Sequence, residues 1–142
     1  MQPNVLITIE GHQWGMDETP QTIRLTTEGQ LYYQNDAWHV TYDESEATGM
    51  AGTSTVLSVD TNGSVTLARK GSHDMELVFV KGSRHITRMQ TPYGDLDVGI
   101  YTNTVQSSLG ARGGSIHLGY SVDFNQQETT NTKLDMEIRL KG

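Results

Sequence analysis

The chain has 142 residues, 17 acidic against 10 basic side chains for a net charge of −7, and no cysteine. That composition excludes a disulfide framework, a thiolate nucleophile and a Cys-based metal site. It also leaves too few clustered cations for a phosphate-backbone contact, so no nucleic-acid partner is expected. With 35% hydrophobic residues spread over its length, the chain reads as one domain, 1–142, large enough to bury a core.

The first segment, 5–13, alternates, with Val5, Ile7 and Ile9 on one parity. Its apolar run is too short for a signal peptide or a membrane span and has no basic residues before it, which predicts a cytoplasmic protein with no membrane contact. Segments 22–27, 30–34 and 37–44 follow as strands, Ile23 and Leu25 facing inward in the first. Residues 43–52 are the one stretch that tolerates a helical turn, with Gly49 and Gly52 positioned to stop it. Strands 53–59 and 64–70 flank Asn62-Gly63, a strong hairpin signal, and 73–80 and 84–90 flank Lys81-Gly82-Ser83. Thr91-Pro92-Tyr93-Gly94 reads as a turn, because Pro presets φ and Gly supplies a conformation closed to other residues. A long strand, 96–109, leads to the loop 110–114. That loop is a hairpin connection rather than a phosphate cradle, since a strand and not a helix follows it.

Periodicity is cleanest in 115–124, where Ile116, Leu118, Tyr120, Val122 and Phe124 share one parity and His117, Gly119 and Ser121 the other. A polar connection over 125–131 and a last strand over 134–140 complete the chain. The total is about ten strands with turns at sandwich or barrel spacing. Short consecutive connections favour an all-β, antiparallel up-and-down meander of about eight to ten strands, closed on itself so that no edge is exposed.

Extending core parity toward strand ends brings charged groups onto apolar faces. Arg69 follows Val65 and Leu67; Tyr42, Glu44 and Glu46 follow Val40; Arg84 and Arg88 flank Ile86. An unpaired interior charge costs several kcal/mol. These residues therefore lie at a barrel rim, form a structural pair such as Arg69 with Glu44, or hold an anion in a lumen. The candidate ligand-binding residues are accordingly Arg69, Arg84, Arg88, Tyr42 and Glu44.

Other chemistry is weakly supported. His12, His39, His73, His85 and His117 show no metal-ligand spacing, so no metal is expected. The pairs Glu44/Glu46 and Asp95/Asp97 lack the opposed environments of catalytic carboxylates, and Asp95 and Asp97 are read as solvated. Trp14 and Trp38 are read as core or as plugs at the barrel ends.

Tyr42-Asp-Glu-Ser-Glu-Ala-Thr-Gly-Met50, Thr53-Ser-Thr, Leu67-Ala-Arg-Lys-Gly71, Met75 and Thr91-Pro-Tyr-Gly94 occur in an order that resembles the YwiB-like family of small bacterial proteins of unknown function. The resemblance runs over nearly the whole chain. It implies a calycin-like, lipocalin-type barrel and supplies no reaction, cofactor or catalytic residue. Related barrels often hold small apolar or amphipathic molecules, and some anchor a ligand carboxylate on interior arginines. The expectation is a non-enzymatic barrel without a cofactor that binds a small apolar or amphipathic anionic molecule in or at the mouth of its lumen. The alternative is a filled barrel acting as an interaction module, through an exposed edge or the His39/Thr41 face, as a homodimer.

Overall fold

Ten strands follow one another along the chain: β1 (Val5–Trp14), β2 (Gln21–Gln34), β3 (Ala37–Asp43), β4 (Thr53–Asp60), β5 (Val65–Gly71), β6 (Met75–Phe79), β7 (Arg84–Thr91), β8 (Gly94–Gly110), β9 (Gly113–Phe124) and β10 (Gln127–Leu140). The computed structural model describes residues 3–15, 19–45, 51–71 and 74–141, and no helix occurs among them. The helical turn expected within 43–52 falls largely on 46–50, outside the described residues, as does His73.

All ten strands join one antiparallel sheet in the order β6-β5-β4-β3-β2-β1-β10-β9-β8-β7. The first strand pairs along its whole length with the last, from Val5 opposite Leu140 to Trp14 opposite Asn131. The sheet thus curls into a nearly closed up-and-down barrel. Its one unpaired seam lies between β6 and β7, where the Thr87 hydroxyl donates to the Glu76 carbonyl at 2.8 Å.

Alternation buries one face of each strand. Val5, Ile7, Val40, Leu57, Val65, Phe79, Ile100, Ile116, Leu118, Met136 and Ile138 form a continuous core. Each such side chain stabilises the fold by about 1.5–3 kcal/mol. Trp38 packs against this core and meets Tyr33 edge-on at 5.2 Å. Trp14, expected as core or plug, instead lies on the outer face and is 39% exposed, because its parity is that of Leu6, Thr8 and Glu10.

Three expectations need correction. β2 is one strand, not two: Gly29 does not interrupt it but lets it pack closely, since a Cβ there would meet the Ile7 Cδ1 atom at 2.6 Å and crowd the Thr41 carbonyl. β10 begins at Gln127, directly after a two-residue turn whose Asn125 and Gln126 have φ of 52° and 65°. Positive φ at both central positions is the hairpin geometry that, after glycine, Asn tolerates best. Its polar first half needs no apolar alternation because it forms the barrel rim. In β7 the parity is inverted: Ile86 is 58% exposed and faces outward with Arg84 and Arg88. A single aliphatic residue was too thin a basis for assigning that face. Ile23 and Phe124 keep the inward parity but lie where strands overrun the core, and both are exposed.

Candidate functional site

The barrel is filled at the end of the chain termini and hollow at the other. Near the latter end a cavity of about 320 Å³ opens between β1, β2, β3, β5, β9 and β10. Ile9, Leu25, Leu67 and Leu134 form its apolar wall, and Tyr42, Glu44, Arg69, Tyr120 and Thr132 its polar one.

The register of the sheet explains the polar cluster. Tyr42 on β3 stands opposite Thr55 on β4, and Thr55 stands opposite Arg69 on β5. All three share the inner face. Glu44, two residues beyond Tyr42, keeps that face because its N–H still donates to the Thr53 carbonyl at 2.8 Å, extending the ladder past the end of β3. Thr55 is short, so the larger neighbours close over it. Its hydroxyl donates to Glu44 Oε1 at 2.7 Å.

Arg69 approaches the same carboxylate, with Nε 4.0 Å from Glu44 Oε1, too long for a hydrogen bond. The Glu44 side chain is only 1% exposed and that of Arg69 22%. Arg69 Nε is itself buried and has no hydrogen-bond acceptor among the described residues. Leaving a buried N–H of a charged group unmet is costly, and native structures rarely do so without a reason.

Burial pushes the Tyr42 phenol well above the ordinary tyrosine range; the Glu44 charge adds to the shift and the Arg69 charge opposes it. Burial raises the Tyr120 phenol as well, again opposed by Arg69. The guanidinium therefore acts on phenols from β3 and β9, on two sides of the cavity. Both phenols stay neutral at physiological pH and are available as hydrogen-bonding groups.

Of the five candidate residues, the structure brings together Arg69, Tyr42 and Glu44. Arg84 and Arg88 do not join them. Arg84 Nη2 donates to Asp123 at 2.8 and 3.1 Å across the outer surface over Gly99, where any Cβ would collide with the guanidinium. Arg88 Nε pairs with Asp97 at 3.3 Å, also outside. Arg88 does share a second cleft with Arg69, along the β6–β7 seam. Arg69 thus borders both the lumen and the opening in the wall. Parity with Leu118 and Val122 places Tyr120 only in the core. The signal that it belongs to a site was its hydroxyl, which needs a polar neighbour in an otherwise apolar row.

Three histidines, His12, His39 and His117, are engaged on the outer surface. His39 stacks on Tyr32 with ring centres 5.0 Å apart and bonds Ser58 Oγ at 2.7 Å. His117 Nδ1 bonds Asp135 at 2.6 Å, and His12 bridges Glu10 and Thr22. Among the described residues no helix is long and apolar enough to cross a membrane.

The same architecture occurs in a solved structure, the ywiB protein from Bacillus subtilis. It superposes with a TM-score of 0.84 over 99% of this chain and 93% of that one, at 19% identity. The curated relative from Bacillus subtilis strain 168, the uncharacterised beta-barrel protein YwiB, is 25% identical over 112 residues, 79% of this chain and 77% of the relative. The model of the domain of unknown function DUF1934 matches residues 7–136. The chain therefore belongs to the DUF1934 family of β-barrel proteins.

Proposed function

We propose that this protein is a non-catalytic binder of one small amphipathic anion, held in the open half of the barrel with its acid group on Arg69 and its apolar part against Ile9, Leu25, Leu67 and Leu134. The observation that carries this reading is the buried, acceptor-less Arg69 Nε at the edge of a cavity whose other wall is apolar. An oxyanion placed there would satisfy Nε, and the neutral Tyr120 phenol supplies a further donor, while the Tyr42 proton is held by Glu44. Glu44 balances the guanidinium when the site is empty and, through Thr55, fixes one side of the cluster. A site lined mainly by apolar groups, with a few convergent polar ones, is the usual form of a small-molecule pocket.

The volume limits the ligand. At about 30 Å³ per water-sized group, 320 Å³ holds on the order of ten non-hydrogen atoms. Octanoate has that size, and octan-1-ol is its neutral counterpart. Calorimetric titration of both ligands into wild-type protein and Arg69→Met tests the reading. The expected result is tighter binding of octanoate than of the alcohol to wild type, with the difference erased in the variant. Equal affinities in the wild type, or no binding of either, would refute it.

A further inference from the structure

On the outer wall, across the sheet from the lumen, a hollow lies beside Gly119 and the Asn103 side chain laid over it. We propose that this hollow is a second binding site, for a single neutral, hydroxylated ring such as a pyranoside. It lies among residues of β1, β8, β9 and β10 and measures about 190 Å³. That is below the roughly 300 Å³ at the lower end of drug-sized pockets, which limits an occupant to about one ring.

The hollow is constructed, not incidental. β8 carries a bulge between Thr102 and Thr104, so Asn103 is an extra residue opposite β9. Bulges re-aim a side chain, and here Asn103 is laid over Gly119: a Cβ on Gly119 would come within 2.6 Å of Asn103 Oδ1. Any other residue at 119 would displace it.

The polar groups around the hollow have defined directions. Thr104 Oγ1 donates to Asn103 Oδ1 at 3.2 Å, and Ser121 Oγ donates to Asn131 Oδ1 at 3.1 Å. Both carboxamides therefore turn their NH₂ groups away from these bonds as donors. Asp135 can only accept, so His117 Nδ1 donates in their 2.6 Å bond, and an uncharged ring would offer Nε2 as an acceptor. No residue among those described is bonded to that Nε2. Trp14, 39% exposed, supplies an aromatic surface at the rim.

Charge selects between ligand classes. Lys133 Nζ lies 4.0 Å from Asp135 Oδ2, so the one cation and the one carboxylate at the hollow offset each other. Such a site offers an anion little net attraction. Donors, an acceptor and an aromatic face together match alternating hydroxyl groups on a ring with an apolar side.

The test uses Trp14 as its own reporter in full-length Trp38→Phe protein, since the chain has two tryptophans. Methyl β-D-glucopyranoside, methyl β-D-galactopyranoside and inorganic phosphate are titrated separately while Trp14 emission is followed. A saturable change with at least one glycoside, at about millimolar Kd, is expected. Asn131→Ala and Asn103→Ala should each weaken it about tenfold, as loss of one hydrogen bond does. Arg69→Met should leave it unchanged, which separates this site from the lumen. The proposal is overturned if neither glycoside gives saturation, if phosphate alone does, or if both asparagine variants bind as wild type does.

Discussion

Replacing Arg69 by Met keeps the length of the side chain and removes its charge, leaving Glu44 without its counterion in a place where only 1% of its side chain reaches solvent. At 4.0 Å and an effective dielectric of about 20, the pair attracts by roughly 4 kcal/mol. Breaking fully buried pairs costs about 3–5 kcal/mol. Arg69 is 22% exposed and the cavity beside it admits water, so the loss expected here is about 2–3 kcal/mol. Glu44→Gln keeps an oxygen to accept from Thr55 and removes the orphaned charge. The double variant Arg69→Met/Glu44→Gln should therefore recover most of the loss, to within about 1 kcal/mol of wild type. Urea unfolding of all four proteins at neutral pH reads this directly. With a slope of about 1–3 kcal/mol per molar, Arg69→Met should lower the midpoint by roughly 1 M. A single variant as stable as wild type, or a double variant that loses the sum of both singles, would show that the two charges do not sense each other.

Raised phenol pKa values at Tyr42 and Tyr120 mean that the folded state keeps protons the unfolded chain gives up near its ordinary value of 10.0. Stability is then complete below that pH and falls above it, by up to about 1.4 kcal/mol per pH unit for each phenol. Urea midpoints followed into alkali should show a shallower fall for Tyr42→Phe than for wild type; identical slopes would contradict the assignment. The inverted parity of β7 is checked by two alanines. Leu57→Ala in the core should cost about 2–5 kcal/mol, while Ile86→Ala on the outer face should stay within about 0.5 kcal/mol. A large loss at Ile86 would restore the inward reading. The unpaired seam makes a kinetic prediction: amides of β6 and β7 should exchange before those of β1 and β10, which are paired on both sides. Exchange mass spectrometry showing equal protection would argue for a closed wall.

Alternation was legible wherever a strand had several aliphatic residues to show it. In β9 the run from Ile116 to Val122 assigned the inner face unaided, and the same held for β1, β4 and β5. It failed where apolar residues were sparse. β7 offers one aliphatic side chain between two arginines, and the first half of β10 offers none, because the barrel rim asks nothing of hydrophobicity. The gap expected between 27 and 30 has a related cause: a strand glycine carries no side chain to show parity, and only the neighbouring Ile7 and Thr41 show that Gly29 serves close packing. The candidate site followed the same division. Arg69, Tyr42 and Glu44 could be grouped because strong core parity on β3 and β5 extends to the strand ends. Tyr120 and Thr132 belong to strands far away in sequence, and only the closure of β1 on β10 places them opposite. Arg84 and Arg88 were grouped through Ile86, and they left the site with it.

Native mass spectrometry of protein purified without refolding from its own host most directly tests whether the open half of the barrel holds an acid. Wild type should carry one extra small mass that is released on denaturation and ionises as an anion, and Arg69→Met, prepared in parallel and shown by circular dichroism to be folded, should carry none. A bare polypeptide mass in the wild type, or the same adduct in both proteins, would contradict the account.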